Sequence, residues 1–363
     1  MIDRNLAKNI DWLLILLLLA NSALGVIFIH SSSEYLRINF TSRQISWIII
    51  SLVVLFLLLV VDYKIIIDYS PYLFIVLLFV LLTLLIFGLP VAGTRGWIRF
   101  LSFQVQPSEL GKAVVILILS YIFSNYREKY LSFRQGLVSV MVVSLPVILV
   151  ALQPDLGTSF TYLFIILAAF LLAGLKKKAL IILLITTISI GVLGWNFALK
   201  DYQKKRVKTV IYPMQDPRGS GYHLLQSKIA VGSGGILGKG YKKGSQTQLM
   251  FIPARHTDFI FSVIGEEAGF LGVTMSMALY LLFLIRIFRS AFSSRDRAGI
   301  YLVFMVSILF TSQFLINVLM VIGLFPIAGI PLPLLSYGGS SLLTSYICVS
   351  FVLNVKMRRF VNV

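Results

Sequence analysis

Charged residues are scarce in this sequence: Asp, Glu, Lys and Arg make up 13% of its 363 residues, about half their usual share in soluble domains. A single cysteine, Cys348, excludes a disulfide-rich scaffold. Three histidines, with neither an H-E-x-x-H nor a G-x-S-x-G motif, give no support to a zinc or serine hydrolase. Apolar residues are abundant at 58%, which excludes a soluble globular chain and indicates a membrane protein.

Ten apolar stretches are long enough to cross a bilayer as helices, which requires about 20 residues each. They predict an all-α integral membrane protein with ten transmembrane helices, in which residues 1–363 form one membrane domain. Arg4 and Lys8 precede the first stretch, but no cleavage site of small residues follows it, so we expect it to be retained. The predicted spans are residues 11–31, 44–61, 71–89, 107–124, 136–152, 158–175, 179–199, 266–287, 299–323 and 337–355.

Lysine and arginine residues are distributed unevenly between the predicted loops. With the amino terminus in the cytoplasm, sixteen lie in the inner loops and termini and four in the short outer loops. This bias predicts that both termini are cytoplasmic. Because the net charge of +18 belongs to a membrane protein, we expect no nucleic-acid partner. The four outer residues are Arg37, Arg43, Arg95 and Arg99.

The longest connection, residues 200–265 between predicted helices 7 and 8, is expected to be a large, partly helical extracytoplasmic loop. Tyr222 to Val231 could form a short interfacial helix within it. The basic run at residues 204–208 fits either attachment to anionic lipid headgroups or attraction of a substrate pyrophosphate. Residues 232–244, called the glycine segment below, lack the spacing of a P-loop. A tightly turned loop and a backbone nest for an anion stay open for this segment.

Polar residues inside apolar helices are costly, so they mark structural ion pairs or functional sites. Glu109 and Lys112 are three residues apart near the outer end of the fourth predicted helix and share a face. They fit either a buried ion pair that sets helix packing or a polar cavity open to the outer leaflet. Gln153 and Asp155 precede the sixth helix, where capping and substrate contact are both open. Ser336 opens the tenth helix, where close packing of small residues is the alternative to a binding role.

Asp258 follows Arg255, His256 and Thr257 at the predicted outer membrane surface, eight residues before Glu266. An aspartate in such a loop fits a helix cap, an ion-pair partner or a catalytic carboxylate. The residues alone do not choose between these roles.

Five motifs in a fixed order resemble the signatures of the SEDS family, and they extend over the chain from about residue 10 to residue 356. The elongation branch typified by RodA fits better than the FtsW division branch, because the amino terminus is short and the sequence reads Arg255-His256-Thr257-Asp258. The five motifs are Gln106 to Lys112, Gln153 to Thr158, Gly232 to Gly240, His256 to Phe261 and Pro331 to Ser340.

This resemblance implies a peptidoglycan glycosyltransferase of the bacterial cytoplasmic membrane that polymerises lipid II on the extracytoplasmic side. It implies Asp258 as the general base that activates the attacking hydroxyl group. No protein ligand for a metal is expected, and a divalent cation, Mg²⁺ or Mn²⁺, at the substrate pyrophosphate is the one cofactor that it allows. The residues expected to bind substrate are Glu109, Lys112, Arg95, Gln153, Asp155, His256, Thr257 and Ser336.

The expected partners follow from the same resemblance. They are a class B penicillin-binding protein that supplies transpeptidation, other membrane proteins of the elongation complex, and lipid II as substrate. Two further functions stay open, a transporter that flips lipid II and a non-catalytic scaffold of the cell-wall complex. The sequence contains no pair of matching interrupted helices that would mark an inverted repeat, and this favours the enzyme over the transporter.

Overall fold

The computed structural model describes residues 8–34, 36, 38–88, 94–100, 103–124, 131–174, 201–216 and 219–359, and this part of the chain is mostly helical. One short hairpin, β1 (Ile98–Phe100) and β2 (Phe103–Val105), lies between the fourth and fifth helices, and a 3-10 helix covers Pro213–Gln215. The α-helices are α1 (Trp12–Ser33), α2 (Phe40–Val60), α3 (Tyr63–Asp68), α4 (Ser70–Phe87), α5 (Pro107–Ser124), α6 (Phe133–Leu152), α7 (Leu156–Ala173), α8 (Asp201–Ile211), α9 (Ser220–Ser233), α10 (Ser245–Gln248), α11 (Ile260–Ser293), α12 (Arg297–Val321) and α13 (Gly339–Met357).

Nine helices in the described ranges are long and apolar enough to cross a membrane, and they correspond to nine of the ten predicted spans. They are α1, α2, α4, α5, α6, α7, α11, α12 and α13. The predicted span at 179–199 lies outside the described residues. A mostly helical membrane protein is therefore confirmed, whereas the count of ten and the placement of both termini stay predictions.

The start of α11 differs from the sequence-based prediction, which placed the beginning of that span at Glu266. The helix begins at Ile260, and its first residues are buried. Glu266 and Glu267 therefore lie inside the helix, and both are buried. The predicted start was wrong because hydrogen bonds from the neighbouring loop to Glu266 and from Ser31 of α1 to Glu267 compensate these carboxylates for the loss of water.

The centre of the bundle is formed by α5, α12 and α13. The most apolar stretch of α13 is 83% buried inside the protein, against 22% for α4 and α6, whose apolar surface is left for lipid. Small residues allow the close packing of the central helix. A β-carbon on Gly339 would lie 2.0 Å from the Trp47 ring, so α13 and α2 approach each other where only glycine fits.

The hairpin places the beginning of α5 beside the beginning of α13. Its two antiparallel strands pair Ile98 with Val105, and Gln106 follows the second strand directly. The amide of Gln106 donates a hydrogen bond to Oγ of Ser340 at 2.7 Å. Two helix ends that are more than 200 residues apart in sequence are thereby joined.

Within the described part of the segment 200–265, helix α9 packs on the beginning of α11 and on the end of α12. The predicted short helix is confirmed, and it extends from Ser220 to Ser233. Oγ of Ser227 donates to the carbonyl of Val321 at 2.8 Å and lies 2.8 Å from Oγ of Ser262. These bonds connect α9 to both membrane helices.

The glycine segment is hydrogen-bonded into a break in α11. Gly269, with φ of 64°, interrupts this helix. The amides of Phe270 and Leu271 therefore cannot donate to the carbonyls four residues before them, as they would in a continuous helix. The amide of Phe270 donates instead to the carbonyl of Gly235 at 2.8 Å. The amide of Leu271 donates to the carbonyl of Ile236 at 3.1 Å. The segment thus supplies the acceptors that the break removes.

The same segment also supplies the missing donors. The carbonyls of Glu266 and Glu267 would accept from the amides after the break in a continuous helix. They accept instead from the amides of Lys239 and Gly240, each at 3.0 Å. Since these amides are used inside the protein, the geometry supports the tightly turned loop and gives no support to an anion nest at these two positions.

The buried side chain of Glu266 holds the following turn of the loop. Its carboxylate accepts from the amides of Gln246 and Thr247 at 2.8 and 2.9 Å and pairs with Nζ of Lys239 at 2.8 Å. A buried carboxylate with this many donors is compensated for the loss of water. The glycine segment, α10 and the first half of α11 therefore form one connected unit.

Candidate active site

Glu109 and Lys112 form a buried ion pair in the first turns of α5. Nζ of Lys112 lies 2.7 Å from Oε2 of Glu109, and the exposed fractions of the two side chains are 2% and 6%. A charge this deeply buried needs a partner, because an unpaired one is strongly destabilising. The structure therefore brings this predicted pair together at the end of α5 that lies beside α13.

Asp155 connects the beginning of α7 with the beginning of α5. Its Oδ1 accepts from the amide of Thr158 at 3.0 Å, which is the N-cap contact of α7. Its Oδ2 accepts from Nε2 of Gln106 at 2.6 Å. Burial raises the pKa of Asp155, the bonds from Thr158 oppose this shift, and the negative charge of Glu109 adds to it. The capping role left open by the sequence is present, and the same carboxylate faces the Glu109 pair.

Gln153 lies just after the end of α6 and joins it to α4 and to the segment before the hairpin. Its side-chain Nε2 donates to the carbonyl of Leu81 at 2.8 Å, and the backbone carbonyl of Gln153 accepts from the backbone amide of Arg95 at 3.4 Å. Its buried Oε1 has no hydrogen-bond partner among the described residues and lies 3.0 Å from where a β-carbon of Gly96 would be. Arg95 itself is exposed. Gln153 thus presents one open acceptor, and Arg95 borders the site through its backbone.

Asp258 lies in the turn immediately before α11 and is partly buried. Its carbonyl accepts from Nδ2 of Asn317 at 2.9 Å, and the same amide group donates to the carbonyl of Ile330 at 2.8 Å. Oδ2 of the Asp258 carboxylate lies 3.8 Å from the position of a β-carbon on Gly329. Asn317 therefore holds the backbone of Asp258 against the segment that precedes α13.

Burial raises the pKa of Asp258 to about 6. The positive charge of Arg206 and a hydrogen bond from Thr257 act in the opposite direction, while the negative charge of Asp155 adds to the increase. A carboxyl group that titrates close to neutral pH is well matched to general base catalysis, because it is ionised yet still basic.

The backbone of residues 256–258 is bonded to the segment before α13 at two further points. Oγ of Ser336 donates to the carbonyl of Thr257 at 2.7 Å. The amide of Tyr337 donates to the carbonyl of His256 at 2.8 Å. Ser336 and the two residues before Asp258 therefore position the loop that carries the carboxylate.

The ring of His256 packs between two aromatic side chains. Its centroid lies 4.3 Å from that of Phe40 and 5.8 Å from that of Tyr337. Burial, with the positive charge of Arg255, lowers the pKa of His256 to about 4, so the ring is neutral near pH 7. Its buried Nδ1 has no hydrogen-bond partner in the part of the chain that the structure describes. A neutral ring with a free nitrogen can orient a substrate group but does not supply positive charge.

Three functional candidates were not selected individually from the sequence. The sequence marks Gln106 only as a member of a motif and Arg206 only as a member of a basic run. Asn317 is an amide inside a membrane helix, and the rule that polar residues in a span are costly could have identified it. The other two act through contacts between distant segments, and no local pattern indicates these.

Among the described residues, no group of three or more His, Cys, Asp or Glu side chains could hold a metal ion. Both oxygens of Asp155 already accept hydrogen bonds, and Glu109 is paired with Lys112. This donor set does not fit a resident metal centre, and a divalent cation at the substrate pyrophosphate stays a prediction.

Comparison with known proteins gives extensive matches. The family model for FtsW, RodA and SpoVE, described as cell cycle protein, matches residues 11–360. The peptidoglycan glycosyltransferase MrdB of Escherichia coli K12 is 33% identical over 351 residues, which cover 97% of this chain and 94% of that protein. The probable peptidoglycan glycosyltransferase FtsW of Trichlorobacter lovleyi is 32% identical over 360 residues, with 95% and 92% covered.

Two solved structures are similar over almost the whole chain. One comes from a study of how a peptidoglycan synthase complex coordinates polymerization and crosslinking, and it matches with a TM-score of 0.83 at 30% identity, covering 97% of this chain and 98% of that one. The rod shape determining protein RodA of Thermus thermophilus matches with a TM-score of 0.73 at 26% identity, with the same coverage.

Proposed function

Since the chain belongs to the SEDS family, which includes FtsW, RodA and SpoVE, we propose that it is a peptidoglycan glycosyltransferase. It polymerises lipid II into glycan strands at the outer face of the bacterial cytoplasmic membrane during cell elongation. Two relatives named as peptidoglycan glycosyltransferases, one of them only as a probable one, support this proposal. The observation that carries it is Asp258, a carboxyl group with a pKa of about 6 where residues 256–258 meet the segment before α13.

The proposed reaction joins two lipid-linked sugars. The 4-hydroxyl oxygen of one sugar forms a bond to the anomeric carbon of the other, and the bond from that carbon to undecaprenyl pyrophosphate breaks. The hydroxyl proton goes to the carboxylate of Asp258. One carboxylate acting as a base opposite the leaving group gives inversion at the anomeric carbon, as in inverting glycosidases.

The other site residues bind and orient the substrate. Lys112 provides positive charge toward the phosphate-bearing substrate, and Glu109 fixes the position of its ammonium group at 2.7 Å. Oε1 of Gln153 and Nδ1 of His256 have no hydrogen-bond partner within the described ranges, and both are available to sugar hydroxyl or amide groups. Asp155 keeps the beginnings of α5 and α7 together, which holds the ion pair close to the reacting groups.

The proposed partner is a class B penicillin-binding protein that crosslinks the strands. The likeness to a chain of a peptidoglycan synthase complex supports this assignment. Other membrane proteins of the elongation complex are proposed partners on the ground of family membership.

Purified protein supplied with lipid II in detergent tests the proposal, because flipping across a membrane has no meaning there. The protein is assayed alone and with its partner, and as Asp258→Asn. Asp201→Asn is a matched control, since Asp201 is an exposed aspartate of α8. We expect polymer from the parent and the control but none from Asp258→Asn. Equal polymer from both variants would remove Asp258 from the mechanism, and no polymer under any condition would favour a transporter or a scaffold.

A further inference from the structure

Arg206 is the one residue of the basic run at 204–208 that the structure connects to the candidate active site. It lies on α8, whose position is fixed by a contact of 3.0 Å between the hydroxyl oxygens of Thr209 and Ser220 at the beginning of α9. Arg206 and Thr209 are three residues apart, so they share the face of α8 that is turned toward the protein. Lys208, on the same helix, is exposed.

The guanidinium group of Arg206 reaches the segment that passes under Asp258. Its Nη1 donates to the carbonyl of Ile327 at 3.4 Å. Two residues further on, Gly329 lies against Oδ2 of Asp258. Two residues of chain span at most about 7 Å, and the positive charge of Arg206 lowers the pKa of Asp258. This exposed cation therefore lies within electrostatic reach of the carboxylate.

We propose that Arg206 binds the pyrophosphate of the lipid-linked sugar donor, an assignment that rests on the proposed function. Lys112 is buried inside the protein, whereas the side chain of Arg206 is exposed on α8. A guanidinium group presents several N–H donors in one plane and binds phosphate oxygens in pairs. The leaving pyrophosphate therefore meets an accessible cation at the edge of the site.

The geometry of the reaction sets how far the leaving group lies from the base. The attacking oxygen lies about 3 Å from the base, and the anomeric carbon lies roughly 3 to 3.5 Å beyond it. The first phosphate is bonded to that carbon through one oxygen. As the bond to that oxygen breaks, the electron pair stays on the pyrophosphate, its negative charge increases, and the interaction with Arg206 becomes stronger.

Phosphate is also the headgroup of anionic lipids, so the same side chain could attach α8 to the membrane surface. Lipid headgroups and the substrate pyrophosphate can be distinguished by the effect of removing a neighbouring positive charge on α8, that of Lys208. Attraction to an anionic lipid surface acts on every exposed cation of the helix to a similar degree, so Lys208→Gln would weaken it as much as Arg206→Gln. Binding of a substrate pyrophosphate depends on Arg206 and not on Lys208.

The test measures initial polymerisation rates in detergent and in vesicles of phosphatidylglycerol for the parent, Arg206→Gln, Arg206→Lys and Lys208→Gln. We expect Arg206→Gln to lower kcat/KM by on the order of 100-fold in both media. Arg206→Lys should be intermediate, because it keeps the charge without the paired donors, and Lys208→Gln should stay within twofold of the parent.

A second readout separates this role from a purely structural one. The charged groups that act on Asp258 are Arg206 and Asp155, and Arg206 lowers its pKa. The acid limb of the rate profile should therefore move to higher pH in Arg206→Gln and stay in place in Lys208→Gln. Equal losses in Arg206→Gln and Lys208→Gln, or a loss confined to the vesicles, would assign Arg206 to lipid headgroups and overturn the proposal. A parent without polymer would overturn the proposed function and this inference together.

Discussion

Gly238→Ala tests the connection between the glycine segment and the broken helix α11. Gly238 has a φ of 81°, a conformation that alanine rarely adopts. A β-carbon at this position would lie 2.1 Å from the carbonyl oxygen of Glu267, so the loop and the helix must move apart. The movement removes the bonds from Lys239 to Glu266 and from Gly240 to Glu267, each now 3.0 Å long.

The expected loss of stability follows from these contacts. The left-handed conformation costs alanine about 1 to 2 kcal/mol, and each lost backbone hydrogen bond costs about 1 kcal/mol. Gly238→Ala should therefore destabilise the protein by about 3 to 4 kcal/mol. Gly232 is the matched control, since it lies in α9 and a β-carbon added there would meet no atom within 4 Å. Gly232→Ala should therefore be neutral or stabilising by up to about 1 kcal/mol.

Thermal unfolding in detergent measures both variants, and amide hydrogen exchange locates the change. Gly238→Ala should lower the unfolding temperature and accelerate exchange at Phe270 and Leu271, whose amides bond to the glycine segment. Gly232→Ala should leave exchange at these amides as in the parent. If the two variants unfold at the same temperature with the same exchange, the segment does not stabilise the break and our reasoning is wrong.

Two further predictions concern the candidate active site. Polymerisation should decrease on acidification, because the carboxylate of Asp258 must be ionised to accept a proton and its pKa is about 6. At pH 5 the initial rate should be about a tenth of its plateau value. A rate that stays constant from pH 5 to 7 would argue against a base role. Glu109→Ala and Lys112→Ala should each lose polymerisation severely while folded protein is recovered, although each leaves one buried charge at a cost of about 3 to 5 kcal/mol. Rates are therefore normalised to folded protein, and variants that purify poorly but work normally would show that the pair only sets helix packing.

Local patterns were sufficient for most of the helices but not for the buried polar residues. The apolar runs predicted nine described spans because the length that crosses a bilayer is a property of a continuous stretch. The predicted span began at Glu266, where a carboxylate without protein donors would need water. The structure buries it because the amides of Gln246 and Thr247 and the ammonium group of Lys239 replace that water.

The sequence by itself determined that this chain is a helical membrane protein, and it placed Glu109 and Lys112 on one face of a helix. Both results depend only on residues within one continuous stretch, namely the length of an apolar run and a spacing of three residues. Only the tertiary structure decided that Asp258 is held by Asn317 and the segment before α13, with Arg206 reaching the same segment. The contact of Asn317 with Asp258 joins residues 59 positions apart, and that of Arg206 with Ile327 joins residues 121 positions apart. Each forms between a helix and a loop whose relative position depends on the packing of the bundle, and no periodic pattern in the sequence encodes that packing.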